Sequence, residues 1–324
     1  MNLGISRIAK LLIGVAALSM SASALAAFPE KPVKLVVPFP AGGLADTVAR
    51  TVAERLSASL GQSVVVDYKA GAATIVGADS VARSNPDGYT LLLGSATTFA
   101  VNPIIYSKLP YEPLKSFEPI GIVGSSALAL LANESLPVND VKELIGKIKA
   151  DPDAFSYGSH GPGSTVHFAA EMLWSAAGVN ALHIPYKGSA PAMTDLMGGQ
   201  IALAFDSLPA AIAASKGDRV KILATTGQER SPLLPDVPTI SESGYPVALE
   251  SWWAIVAPHG IPDEAKGTLV KALQEAVTDK SVHDKLAGLA FETRYGAPDM
   301  FSRLIKEDTA KLTPIAEANN IRQD

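Results

Sequence analysis

Residues 35–50 read Leu-Val-Val-Pro-Phe-Pro-Ala-Gly-Gly-Leu-Ala-Asp-Thr-Val-Ala-Arg. The apolar run Leu35-Val36-Val37 reads as a buried strand and Pro38 to Gly43 as a glycine-rich loop. A helix then opens near Ala45, with Val48, Val52 and Leu56 recurring every fourth position on one face. A strand that ends in such a loop at a helix N-terminus aims unpaired N–H groups and the positive end of a helix dipole at one spot. That suffices to hold a carboxylate or phosphate without a cationic side chain. A tight βα turn with no ligand looks the same, so the loop needs support from the rest of the chain.

The pattern repeats outward from this stretch. Val64-Val65-Val66 reads as a second strand, followed by a loop from Tyr68 to Thr74 and a helix from Ile75 to Arg83. Asn85-Pro86-Asp87-Gly88 is a turn, and Tyr89 to Leu93 a third strand ending in Gly94-Ser95-Ala96-Thr97-Thr98. A second series begins after Pro137. It runs through a helix over 138–150, a strand over 155–159, the loop His160-Gly161-Pro162-Gly163-Ser164-Thr165, and a helix to Ala177 that Gly178 stops. Strands follow at 181–185, 201–205 and 220–225, with a short helix ending at Met197. Residues 231–246 read as an ordered loop with a short helix, 252–257 as a strand, and the chain beyond Pro262 as mainly helical.

Alternating strands and helices predict an α/β fold with mostly parallel sheets covered on both faces. The chain divides into two such lobes joined by two crossovers, near Gly124 and Glu250. Lobe 1 is assigned 27–124, lobe 2 125–249, and 250–324 returns to lobe 1 as a strand and C-terminal helices.

Residues 1–26 have the form of a cleavable secretory signal. Arg7 and Lys10 precede an apolar core from Leu11 to Met20, and Ala24-Leu25-Ala26 offers a small-residue cleavage site. The apolar core is too short for a membrane span, which needs about 20 residues. The chain has no cysteine, which excludes a lipidated N-terminal Cys, disulfides and a thiol nucleophile. An exported chain without an anchor is expected in the periplasm. Removing Arg7 and Lys10 leaves 25 basic against 32 acidic residues, a net charge of −7. An acidic chain without a basic block argues against nucleic acid and anionic membranes as partners. An anionic ligand must therefore be caught by a local site.

Each lobe supplies a glycine-rich loop between a strand and a helix, and ligands of open parallel sheets sit beyond the carboxyl ends of the strands. The first loop offers Gly42 and Gly43. The second offers Gly163 and the hydroxyls of Ser159, Ser164 and Thr165, with His160 among them. Thr97 follows the third strand, and Asp206 ends its own strand. Asp206 either touches a ligand or caps the following helix, and Asp46, in the first turn of a helix, has the same two roles open to it. Of Trp252 and Trp253, one is expected to pack in the hinge while the other closes the cleft or touches an aromatic ligand.

The motif at 37–50 resembles the first signature of the Bug family, the substrate-binding proteins of tripartite tricarboxylate transporters. The resemblance continues at Asn85-Pro86-Asp87-Gly88-Tyr89, Tyr157-Gly158-Ser159, Gly163-Ser164-Thr165-Val166-His167, His183-Ile184-Pro185-Tyr186-Lys187-Gly188, Phe205-Asp206 and Leu234-Pro235-Asp236-Val237-Pro238-Thr239. It covers essentially the whole mature chain, in order. It implies a two-lobed periplasmic-binding-protein fold, type II-like, that closes on a small organic acid and presents it to membrane subunits of a transporter. It further implies that lobe 1 grips one carboxylate with two loops, which here are Phe39 to Gly43, including Ala41, and Ala70 to Thr74. Lobe 2 would choose the ligand through residues around Ser159–Thr165 and Asp206. The second of the lobe 1 loops departs from the family pattern Pro-Gly-Ala-Gly-Gly-x-Ile-Gly. Ala72 and Ala73 stand where paired glycines are usual, and each Cβ is expected to oppose positive φ and push the ligand outward, with Thr74 supplying a hydroxyl contact in compensation.

Other classes find less support. Ser164, His167 and Asp206 suggest a hydrolase, but there is no Gly-x-Ser-x-Gly elbow and Ser164 to His167 is the spacing of a helix cap. His160, His167 and Glu171 lack a His-Glu-x-x-His pattern for metal. Neither a P-loop nor a clean dinucleotide fingerprint is present, so no cofactor is expected. The protein is expected to act as a monomeric binder, not as an enzyme.

Overall fold

A computed structural model describes residues 28–323, and the expected signal segment lies outside the described residues. The strands are β1 Val33–Val37, β2 Val64–Tyr68, β3 Thr90–Ser95, β4 Phe117–Asn133, β5 Ser156–Ser159, β6 Leu182–Pro185, β7 Leu203–Ser207, β8 Val220–Thr225, β9 Glu250–Pro258 and β10 Glu292–Gly296. The helices, in chain order, begin with α1 Leu44–Leu60, α2 Ile75–Ala82, and the single turns α3 Asn102–Ile105 and α4 Pro113–Ser116. They continue with α5 Val141–Ala150, α6 Thr165–Ala177, α7 Ser189–Met197, α8 Leu208–Ser215, α9 Asp263–Val277, α10 Lys280–Ala287 and α11 Pro298–Ala318.

In lobe 1, β2, β1 and β3 run parallel, and β3 is joined antiparallel to β9, β9 to β4, and β4 to β10. In lobe 2, β6, β5 and β7 run parallel, and β4 pairs antiparallel with both β7 and β8. All ten strands therefore connect through β4, whose first half belongs to one lobe and whose second half belongs to the other. The apolar face of α1, with Val48, Val52 and Leu56, packs with Leu35 and Leu91 in lobe 1. Gly61 ends α1 in the left-handed conformation, at φ 66°. In lobe 2, Val141, Leu144, Ile145 and Ile148 of α5 share a core with Phe168, Trp174 and Phe205.

Four features depart from the sequence expectations. The long strand β4 was not expected, because Pro119, Gly121 and Gly124 interrupt its apolar pattern. Those residues accompany register shifts in its pairing with β9, at Pro119/Gly121 and Ile122/Gly124. Residues 231–246 form turns and no helix, and β10 interrupts the C-terminal helices. The C-terminal helix α11 is also not confined to lobe 1. Its Phe301 and Ile305 lie in the lobe 1 cluster with Phe99 and Trp252, while Leu312 and Ala316, with Ile321 beyond the helix, lie in the lobe 2 cluster.

Candidate functional site

Between the lobes lies a cleft of about 720 Å³. Its wall on the lobe 1 side holds Phe39, Ala41, Gly43 and Ala73, with Thr97 at the end of β3. Its lobe 2 wall holds His160, Gly163, Ser164 and Thr165. Nine of the sequence-nominated residues thus converge on one space. Thr97 Oγ1 and Thr165 Oγ1 lie 3.2 Å apart, a hydroxyl pair that bridges the two lobes. Helices α1 and α6 both begin at this cleft. Ser164 caps α6, its Oγ accepting from His167 N at 3.3 Å and donating to Gly161 O at 2.7 Å. Gly43 caps α1 with no side chain, so its surroundings stay open.

The other nominated residues stand behind the wall. Asp46 accepts from Gly42 N at 2.8 Å and from Tyr68 Oη and Arg50 Nε, each at 2.5 Å. The Tyr68 hydrogen bond, followed by that from Gly42, holds its carboxyl below the ordinary value. Asp46 thus shapes the Gly42 turn and does not line the cleft. Thr74 is buried behind the lining and takes a hydrogen bond from Thr98 Oγ1 at 2.9 Å. Gly42 and Ala72 are solvent-exposed beside the lining residues. Ser159 is fully buried, with its Oγ 2.6 Å from His183 Nε2. Asp206 is fully buried beneath His160 and Ser189.

The alanines of the second loop behave differently from the expectation. Ala72, Ala73 and Thr74 keep positive φ, at 43°, 48° and 78°, so the glycine-type backbone survives the added Cβ atoms. Asn102, the first residue of α3, braces the loop. Its Nδ2 donates to Ala73 O at 2.8 Å, and the residue is completely buried. Left-handed backbone costs a non-glycine residue about 1–2 kcal/mol. The double substitution Ala72→Gly, Ala73→Gly should therefore stabilise the protein by about 1–2 kcal/mol after the extra freedom glycine gives the unfolded chain. Urea unfolding measures this, and a loss of stability would show that the loop is not strained.

Sequence reading missed Ser189 and Ser207, which line the cleft together with Trp253. Ser189 and Ser207 lie just beyond or at the carboxyl ends of β6 and β7, where the parallel-sheet rule would have placed them. The two tryptophans part company. Trp252 Nε1 donates to Asp308 Oδ2 at 2.6 Å inside the core, whereas Trp253 faces the cleft with its ring 5.3 Å from that of Phe39.

Beneath the lobe 2 loop lies a buried polar cluster. The rings of His167 and His183 stack 3.9 Å apart, Tyr157 Oη donates to Glu171, and His167 Nδ1 accepts from Gly163 N at 3.1 Å. Ser164, His167 and Asp206 do not form a catalytic chain: Asp206 pairs with His160, and Ser164 is spent on the helix cap. Among the described residues no group of three potential metal ligands gathers. Burial, then His183, pushes His167 down to about 3, and burial pushes His183 down to about 4, from an ordinary 6.5. As pH falls from 6.5 toward 4 the unfolded chain gains two protons that the folded chain refuses, so stability is lost. Glu171, raised by burial, works the other way by one proton at the low end of that window. Unfolding free energy should therefore fall from pH 7 to pH 4.5, by up to about 1.4 kcal/mol per pH unit for each net proton, and the melting temperature should fall with it. His167→Gln should flatten that drop, and an unchanged pH slope would remove the cluster as its cause.

Residues 48–321 match the tripartite tricarboxylate transporter family receptor, TctC. Protein BugT of Bordetella pertussis (strain Tohama I) is 35% identical over 283 residues, covering 87% of each chain. The structure of the periplasmic binding protein BugD superposes with a TM-score of 0.77 at 38% identity, over 92% of this chain and 100% of that one. R. palustris Rpa4515, solved with adipate, gives a TM-score of 0.81 at 34% identity, over 91% of this chain and 99% of the other. With a family match along most of its length and Bug proteins among its relatives, the chain belongs to the tripartite tricarboxylate transporter receptors, a family of two-lobed periplasmic solute-binding proteins.

Proposed function

We propose that this protein captures a small organic acid between its lobes and delivers it to the membrane subunits of a tripartite tricarboxylate-type transporter. It would be exported by the N-terminal segment, act in the periplasm and catalyse no reaction. The observation that carries this reading is the meeting of two helix N-termini and two strand-to-helix loops across one cleft whose lining contains no Lys, Arg, Asp or Glu. Such a lining binds an anion through backbone N–H groups, hydroxyls and water, with the helix dipoles favouring negative charge. Phe39, Trp253, Ile105 and Leu128 add an apolar surface for the carbon frame of the acid, aliphatic or aromatic. That a relative was solved with adipate supports a carboxylate as ligand. Di- and tricarboxylates and aromatic carboxylates all belong in the first screen.

Thermal-shift titration of the ligand-stripped mature protein against small organic acids tests the reading. A selective acid at a hundredfold excess over Kd should stabilise the native state by about 2.7 kcal/mol. No shift with any acid would remove the carboxylate assignment. Chemical turnover of a stabilising acid would remove the assignment as a binder.

A further inference from the structure

The strand that returns to lobe 1 borders the cleft with its first residues. In β9, Ser251 pairs with Ser126 and Trp253 with Gly124, at the point where β4 passes from one lobe to the other. Side chains alternate along a strand, so Ser251 and Trp253 share one face, about 6.6 Å apart along the chain, and Glu250 and Trp252 share the other. The contacts agree with that alternation. Glu250 accepts from Ser125 Oγ at 2.6 Å and Trp252 donates to Asp308 in the core, whereas Ser251 and Trp253 both line the cleft.

Most serine hydroxyls of the lining are already spent on the protein. Ser126 Oγ donates to Ala290 O at 3.0 Å, Ser164 Oγ to Gly161 O at 2.7 Å, and Ser189 Oγ and Ser207 Oγ to the Asp206 carboxylate at 2.6 and 3.2 Å. On β9 the position is different. Ser251 Oγ has no hydrogen-bond partner among the described residues, and Trp253, only 6% exposed, has its Nε1 buried without one. Native proteins leave few buried N–H groups without an acceptor, and the cleft is a side from which one can reach Trp253. Phe39, whose ring packs 5.3 Å from that of Trp253, belongs to the 39–43 loop, so a shift of that loop around a ligand acts directly on the surroundings of Trp253. Trp174 Nε1 is also unpartnered, but it lies in the lobe 2 core and not in the lining.

We infer that Ser251 Oγ and Trp253 Nε1 donate hydrogen bonds to the bound acid, a third point of contact on the strand that joins the lobes, added to the two strand-to-helix loops. This rests on the organic-acid reading above. Two neutral donors on one strand face suit an oxygen acceptor of the acid, whether carboxylate, carbonyl or hydroxyl, and hold it without a cation.

Nuclear magnetic resonance of the nitrogen-15-labelled, ligand-stripped mature protein tests it, with succinate, adipate, citrate and benzoate as probes and affinities from isothermal titration calorimetry. The chain has three tryptophans, so the indole region carries three signals, which Trp→Phe variants assign. With an acid that binds, the Trp253 indole proton should move downfield as it gains an acceptor, while the signals of Trp174 and Trp252 stay in place. Trp253→Phe keeps a ring beside Phe39 and removes the N–H, and should weaken that acid about tenfold. Ser251→Ala should weaken it several-fold. It breaks no hydrogen bond within the protein, so the melting temperature of the unliganded variant should match that of the parent, which separates lost contact from lost fold. A bound acid that leaves the Trp253 indole signal in place, or that binds both variants as tightly as the parent, would overturn the inference while leaving the protein an acid binder. Binding of none of the four acids would overturn the inference and count against the organic-acid reading itself.

Discussion

Gly43→Val is expected to leave a folded protein that no longer binds its acid. Gly43 adopts φ −94° and ψ −172°, which any residue can occupy, and a Cβ built there meets no atom within 4 Å. The fold therefore loses only the small preference of a helix cap for glycine over valine, no more than about 1 kcal/mol. The ligand site loses more. The N–H groups at the start of α1 are useful because the backbone is bare, and a branched side chain occupies the space through which a carboxylate approaches them. An affinity loss of about a hundredfold or more, roughly 2.7 kcal/mol, should appear in calorimetry with an unchanged far-ultraviolet spectrum. Unchanged affinity would sink the assignment of the 39–43 loop to the site.

Gly124→Val should do the reverse, damaging the fold at a point remote from the loops. Gly124 lies in β4 at φ 157°, and a Cβ there would stand 2.2 Å from the backbone oxygen of Glu292 and 2.7 Å from Phe291. Neither neighbour can yield cheaply, because Glu292 is in β10 and Phe291 is a fully buried core ring. Accommodating valine means detaching β10 from β4, which exposes Phe291 and the face of α9 beneath it. We expect a loss of at least about 3 kcal/mol, by overpacking and broken pairing together. A urea midpoint close to that of the parent protein would show that β10 is an ornament of the sheet and not a member of it.

Much of this molecule was legible in its sequence, for physical reasons that particular residues make plain. The βα units of both lobes announce themselves because buried parallel strands are short apolar runs and their loops need glycine, as at Pro38–Gly43 and His160–Thr165. Strand β4 did not, since it serves two sheets and carries the bulges that let β10 and β9 approach, and those bulges erase its periodicity. The lining glycines and hydroxyls were found because they sit at helix starts. Ser189 and Ser207 were missed, and Trp252 and Trp253 could not be told apart, because their roles depend on which strands become neighbours. The roles of Asp46, Thr74 and Asp206 depend on contacts 17 to 24 residues away in the chain, to Tyr68, Thr98 and Ser189, which no local motif records.

The passage of α11 between the two hydrophobic clusters has a consequence for the order in which the chain can become native. Leu312, Ala316 and Ile321 fill the lobe 2 core beside Val141, Leu144 and Phe168, and Gln323 N donates to Ile105 O at 2.8 Å. The middle of the chain therefore waits for residues made more than a hundred positions later before its interior is complete. A ribosome-tethered intermediate ending before α11 would expose an apolar pit and should be captured by holdase chaperones. For a chain proposed to be exported, a helix that completes the lobe 2 core only after the rest of that lobe has been made is a built-in delay.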